Sequence, residues 1–157
     1  MINYRVGDAT LPGELPAIIA HVCNDEFRWG RGFVLSLSAR FPEPERAYRT
    51  TRPRPKLGET QFVSISGGTI VVANMIAQHG VGPKNDVPPI RYPALENCLA
   101  TVARKAKELN ASVHMPRIGC GLAGGSWKVV GKLIEEQLKD VDVFVYDLPP
   151  QKLVKLP

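Results

Sequence analysis

Residues 115–127 read Met-Pro-Arg-Ile-Gly-Cys-Gly-Leu-Ala-Gly-Gly-Ser-Trp, an apolar strand end followed by four glycines in seven residues and the start of an amphipathic segment. Glycine lets backbone N–H groups come close to a phosphate, and the free N–H groups at a helix start favour an anion there. The alternative is a tight strand-to-helix turn without a ligand, but four glycines exceed what a turn requires. Gly119-Cys120-Gly121-Leu122-Ala123-Gly124 formally matches G-x-G-x-x-G, yet only 33 residues follow it, too few for a nucleotide-binding half. A Walker loop needs Lys where Gly125 stands. What remains is a phosphate cradle.

A second loop follows an apolar run at residues 17–23. Its residues from His21 to Gly32 include Asn24 and Asp25, small polar groups able to bind sugar hydroxyls, and Gly30 and Gly32, which again permit close backbone approach. Asp8 follows the first apolar segment and can accept a hydrogen bond from an amino group such as that of adenine, although such a residue is more often a cap or turn former. Loops at the carboxyl ends of sheet strands share a crevice, so the three segments form walls of one cleft.

The elements that must hold these loops follow from periodicity. Residues 2–6, 17–23, 61–65, 69–76, 111–116 and 141–148 have strand character, with a tight turn at residues 66–68. Helical spacing runs over 33–41, ended by Pro42, over 93–109 after Pro93, and over 127–138 with Ser126 as N-cap. Strands alternate with helices and no internal repeat is visible. The expected fold is α/β, one domain over residues 1–157 with helices on both faces of the sheet.

Glycine and proline number 14 each, and they cluster at a few loops instead of forming a low-complexity linker. The net charge of +5 suits an anionic partner, or solubility alone. Arg46, Arg49, Arg52, Arg54 and Lys56 place five positive charges in eleven residues, either a contact for nucleic acid or another phosphate-bearing partner, or a solvated surface. Residues 80–93 read as a long loop that either lids the cleft or merely connects. Cys23, Cys98 and Cys120 have no C-x-x-C spacing, which indicates neither a disulfide framework nor a zinc site and fits a reducing cytoplasm. No apolar run approaches membrane-spanning length and the N-terminus has no export signal pattern.

The ordered set of Gly7-Asp8, an A-H-x-x-N strand end with W-G-x-G, M-P-R-I-G-C-G-L before a Trp-led helix, and V-Y-D-L resembles the macrodomain family over residues 2–148. The resemblance is greatest to the branch containing terminal ADP-ribose protein-glutamate hydrolase and yeast ADP-ribose 1″-phosphate phosphatase. It implies a three-layer α/β/α fold with a mixed sheet of about six strands that binds ADP-ribose, with no cofactor or metal. By position, Asp8 and Ala9 would take the adenine. Asn24 and the loop Trp29-Gly30-Arg31-Gly32-Phe33 would surround the distal ribose and diphosphate. Ile118, Gly119, Cys120, Gly121 and Leu122 would cradle the phosphates, and Leu148 would lie near the adenine.

The sequence departs from the glutamate-hydrolase pattern at the positions that the resemblance makes catalytic. Ala123 stands where that branch has Asp, and its Lys falls at Ala77 or Gln78. A covalent lysyl route is therefore not expected. His21 matches the histidine of the phosphatase-like members and is a candidate acid–base group, with Asn24, Asp25 and His79 as further candidates. Cys120 lies near a helix start, which lowers a thiol pKa, but no C-x5-R motif accompanies it. Three readings follow: an ADP-ribose-processing hydrolase, a non-catalytic ADP-ribose reader, and a basic nucleic-acid-binding module.

Overall fold

An apolar run that does not alternate must be covered on both faces. The computed structural model, which describes residues 1–65 and 67–150, shows this for β2 (Ala17–Asn24) and β4 (Ile70–Gln78), the two longest strands. They pair in parallel at the middle of a six-stranded sheet. The remaining strands are β1 (Ile2–Val6), β3 (Thr60–Ser64), β5 (Ser112–Pro116) and β6 (Val143–Asp147), in the order β1-β6-β5-β2-β4-β3. Only β3, an edge strand, runs antiparallel to its neighbour, so the sheet is mixed as expected.

The strand period of two divides the core. Ile18, Ala20, Ala73 and Met75 face α3 (Tyr92–Leu109) and α4 (Trp127–Gln137), while Ile19, Val72 and Ile76 face α1 (Phe33–Arg40) and α2 (Glu43–Thr50). Leu95, Leu99, Val102 and Ala106 recur at three and four residues to fill the first side. On the second side Leu37, Tyr48 and Trp29 do so.

Helix α2 was not anticipated, because the prolines around it suggested irregular chain. Pro44 occupies the first turn, where a missing N–H costs nothing, and Glu43, Glu45 and Arg49 complement the helix dipole. Ser126 does precede α4, but its hydroxyl makes no capping bond. The tight-turn reading rested in part on Ser66, which, like residues 151–157, lies outside the described residues; Gly68 N–H does donate to Ile65 C=O at 2.8 Å. Among the described residues no helix is long and apolar enough to cross a membrane.

Candidate ADP-ribose cleft

The carboxyl ends of β1, β2, β4, β5 and β6 open onto one cleft of about 1150 Å³. Four strand spacings separate β1 from β4, about 19 Å at roughly 4.8 Å each, so the cleft is elongated along the sheet.

One wall is the β5–α4 loop. Gly119 and Gly124 adopt left-handed backbone, Gly125 N–H donates to Gly119 C=O at 2.7 Å, and Gly124 N–H donates to Gly121 C=O at 3.0 Å. A Cβ on Gly125 would lie 2.4 Å from the Gly119 oxygen, whereas one on Gly121 would meet nothing. The loop is thus closed on itself around residue 125 and open at residue 121. Among the described residues, no group takes the backbone N–H groups of residues 119–123. Ile118, Gly119, Gly121 and Leu122 line the cleft, whereas the Cys120 side chain packs toward the α3–α4 core and leaves its N–H among the free donors. Burial raises its thiol pKa against the opposing effect of Arg117, the reverse of the helix-start expectation.

The opposite wall is the β2–α1 loop, with Gly30, Arg31, Gly32 and Phe33 in the lining. A Cβ on Gly32 would lie 3.8 Å from Leu122 Cδ1, so the two glycine loops face each other across the cleft. Gly32 is the N-cap of α1 and has no side chain to cap the first turn; Leu35 N–H donates to Gly32 C=O at 3.1 Å, which leaves the N–H groups of Phe33 and Val34 for an anion.

Asn24 also lines the cleft, but its carboxamide organises the loop. Its Oδ1 accepts from Glu26 N–H at 2.9 Å, Arg28 N–H at 3.1 Å and Tyr48 OH at 2.9 Å, and its Nδ2 donates to Arg28 C=O at 2.7 Å. Trp29 is buried, donates to Ser38 Oγ at 2.7 Å, and packs on His21 and Tyr48. It belongs more to the core than to a sugar-stacking platform.

His21 lies in the cleft floor, 2% exposed, with Nε2 2.5 Å from Asn74 Oδ1. Burial lowers its pKa to about 4 despite the Asn74 bond, so it is neutral at physiological pH. Asn74 also donates to Gln61 Oε1 at 3.1 Å and to Pro44 C=O at 3.2 Å, which ties the floor to α2. These bonds give His21 a structural task.

At the β1–β6 end, Asp8, Ala9 and Leu148 line the cleft. Asp8 Oδ1 accepts from Thr10 N–H at 2.8 Å and Thr10 Oγ1–H at 2.7 Å, which fixes the carboxylate, and Arg40 stands 3.9 Å from Oδ2. Arg117 was not anticipated here. Its guanidinium forms two bonds to Asp147, at 2.9 and 2.8 Å, and lies over the Tyr4 and Trp127 rings. Its place two positions before the glycine run was the available signal.

At the β2–β4 end, Gln78 reaches the lining, Ala77 is fully buried, and Ala123 lines the wall. Arg49 lines the cleft as well, with Nη1 donating to Phe27 C=O at 2.9 Å. Arg52 and Arg54 lie over the Phe27 ring, so part of the basic segment borders the cleft. Asp25 and His79 are both outside the lining and pair with each other at 2.8 Å. Of residues 80–93 only Val81 contributes to the lining. Among the described residues no cluster of His, Cys, Asp or Glu could hold a metal ion.

Residues 20–134 match the Macro domain family model. The chain belongs to the macrodomain family, whose members bind ADP-ribose. It is 34% identical to mouse chromodomain-helicase-DNA-binding protein 1-like over 96% of this chain, and spans only 18% of that protein. It is 23% identical to the Candida albicans ADP-ribose 1″-phosphate phosphatase, over 87% of this chain and 93% of the relative. Among solved structures, a Bacteroides thetaiotaomicron protein of unknown function superposes with a TM-score of 0.90 at 47% identity, covering 94% of this chain and 98% of that one. A Streptomyces coelicolor macrodomain protein does so with a TM-score of 0.81 at 46% identity, covering 94% and 99%.

Proposed function

We propose that this chain binds ADP-ribose in the cleft and hydrolyses an ADP-ribosyl linkage, or a substituent on the ribose 1″ position. The observation that carries the reading is the pair of facing glycine loops, which offer backbone N–H groups to a diphosphate midway along the cleft. Asp8, held by Thr10, then receives the adenine amino group beside Ala9 and Leu148, and the distal ribose lies toward Asn24 and Gln78. Arg49, Arg52 and Arg54 border that far end, which suits a nucleic acid or another anionic macromolecule carrying the ADP-ribosyl group. The catalytic route differs from a lysyl one, since Gln78 and Ala123 offer neither an amine nor a carboxylate.

A second reading, a non-catalytic reader, is favoured by those same two residues. Titration calorimetry with ADP-ribose tests the binding, and no heat at high micromolar ligand would refute it. Product analysis with ADP-ribosylated protein, ADP-ribosylated nucleic acid, O-acetyl-ADP-ribose and ADP-ribose 1″-phosphate separates hydrolase from reader. The hydrolase reading expects turnover of at least one of the four.

A further inference from the structure

The chain has three histidines, and two are enclosed. His21 is bound to Asn74 in the floor, and His114 lies buried between Ser112 Oγ at 2.8 Å and Tyr146 OH at 2.7 Å. His79 alone has an accessible imidazole, 42% exposed. It follows Gln78, the last residue of β4, and its N–H donates to Pro89 C=O at 2.8 Å, which anchors the backbone.

The partner of His79 is Asp25, the residue after the end of β2. Asp25 Oδ2 lies 2.8 Å from His79 Nδ1, while Oδ1 accepts from Gly80 N–H at 2.9 Å. Burial raises the Asp25 pKa, but the Gly80 and His79 bonds outweigh it and keep the group a carboxylate. The imidazole is thereby fixed through Nδ1. Among the described residues Nε2 has no hydrogen-bond partner. A base whose second nitrogen is held by a carboxylate is the arrangement that orients an imidazole for proton transfer.

The pair stands just outside the lining at the far end of the cleft. Each residue lies one position beyond a lining residue, Asn24 or Gln78, and the register of β2 and β4 shifts between Cys23 and Asn24. Such irregularities re-aim side chains at strand ends. We propose that His79, oriented by Asp25, is the acid–base residue of the hydrolysis, acting through Nε2 at the distal-ribose end. This rests on the hydrolase reading above.

The water oxygen bonds to ribose C1″ as the bond from C1″ to the leaving group breaks, its electron pair departing with that group. The water proton passes to Nε2 and from there to the leaving group. One water is consumed, and no oxidant or reductant takes part. The charged groups around the pair are Glu26, whose carboxylate borders Gly80, Lys84 and Arg28 beside Glu26, and Arg54, which donates to Asp25 C=O at 3.2 Å.

The experiment compares kcat of wild type, His79→Ala and Asp25→Asn on the four substrates, with ADP-ribose affinity measured in parallel. His79→Ala should lower kcat on the order of 100-fold and leave ADP-ribose affinity within about threefold. Asp25→Asn retains an acceptor for Gly80 and should give a smaller loss of kcat at unchanged ADP-ribose affinity. If turnover survives His79→Ala unchanged, this proposal fails and the hydrolase reading stands. If wild type binds ADP-ribose but turns over none of the four substrates, both fail and the reader remains.

Discussion

The two walls of the cleft are built by opposite means. The β5–α4 wall is shaped by backbone alone, through glycines that close on one another, whereas the β2–α1 wall is held by side chains, with Asn24, Tyr48 and Trp29 bonded beneath it. A backbone wall offers donors without a side chain to displace, and it fails when any side chain enters. A side-chain wall tolerates change at its surface and fails when a buried polar partner is removed.

The largest effect is expected on the backbone wall. Gly121→Glu projects a carboxylate into open space within the phosphate cradle and should weaken ADP-ribose binding by more than about 100-fold, roughly 3 kcal/mol, with little change in Tm. Retained affinity in calorimetry would remove the cradle from that position. Gly125→Ala, by contrast, meets the Gly119 oxygen and should lower Tm along with binding.

On the other wall, Asn24→Ala deletes four hydrogen bonds and leaves the Tyr48 hydroxyl with only the Asn24 C=O. A stability loss of about 2–3 kcal/mol is expected, seen as a lower urea midpoint together with weaker binding. Loss of binding at unchanged stability would assign Asn24 to the ligand instead of the loop.

The floor adds a pH dependence of similar size. His21 is neutral when folded, with a pKa of about 4 against 6.5 for an ordinary histidine. Its stabilising contribution is complete above pH 6.5 and is lost as pH falls toward 4, because the unfolded chain takes up the proton first. The difference is about 3 kcal/mol. His114, whose pKa burial also lowers to about 4, acts over the same range. The difference between urea midpoints of wild type and His21→Gln from pH 7 to 4 therefore measures the His21 contribution, and an equal pH dependence in both would mean that water reaches the His21 ring. Smallest is Asp8→Ala, for which about tenfold weaker ADP-ribose binding and unaltered AMP-free ribose phosphate binding would confine Asp8 to the adenine.

The sheet was legible in the sequence because buried strands are continuous apolar runs and the glycine run is dense. Helix α2 was not, since Pro42 and Pro44 masked a start that proline in fact permits. The cleft's backbone wall was legible for the same reason as the sheet. The bonds that Asn24, Trp29 and His21 make were not legible, because their partners Tyr48, Ser38 and Asn74 lie nine to fifty-three positions away and residue type alone does not reveal a satisfied bond. The inward turn of the Cys120 side chain was not legible either, because spacing gives the loop and not the side on which each residue emerges.

The two tryptophans occupy contrasting surroundings, which gives the protein an intrinsic optical reporter. Trp29 lines the cleft from within the core, while Trp127 stands outside it against the Arg117 guanidinium. Emission from Trp29 should lie to the blue of that from Trp127 and respond to a ligand between the walls, so cleft occupancy can be followed by fluorescence without a label.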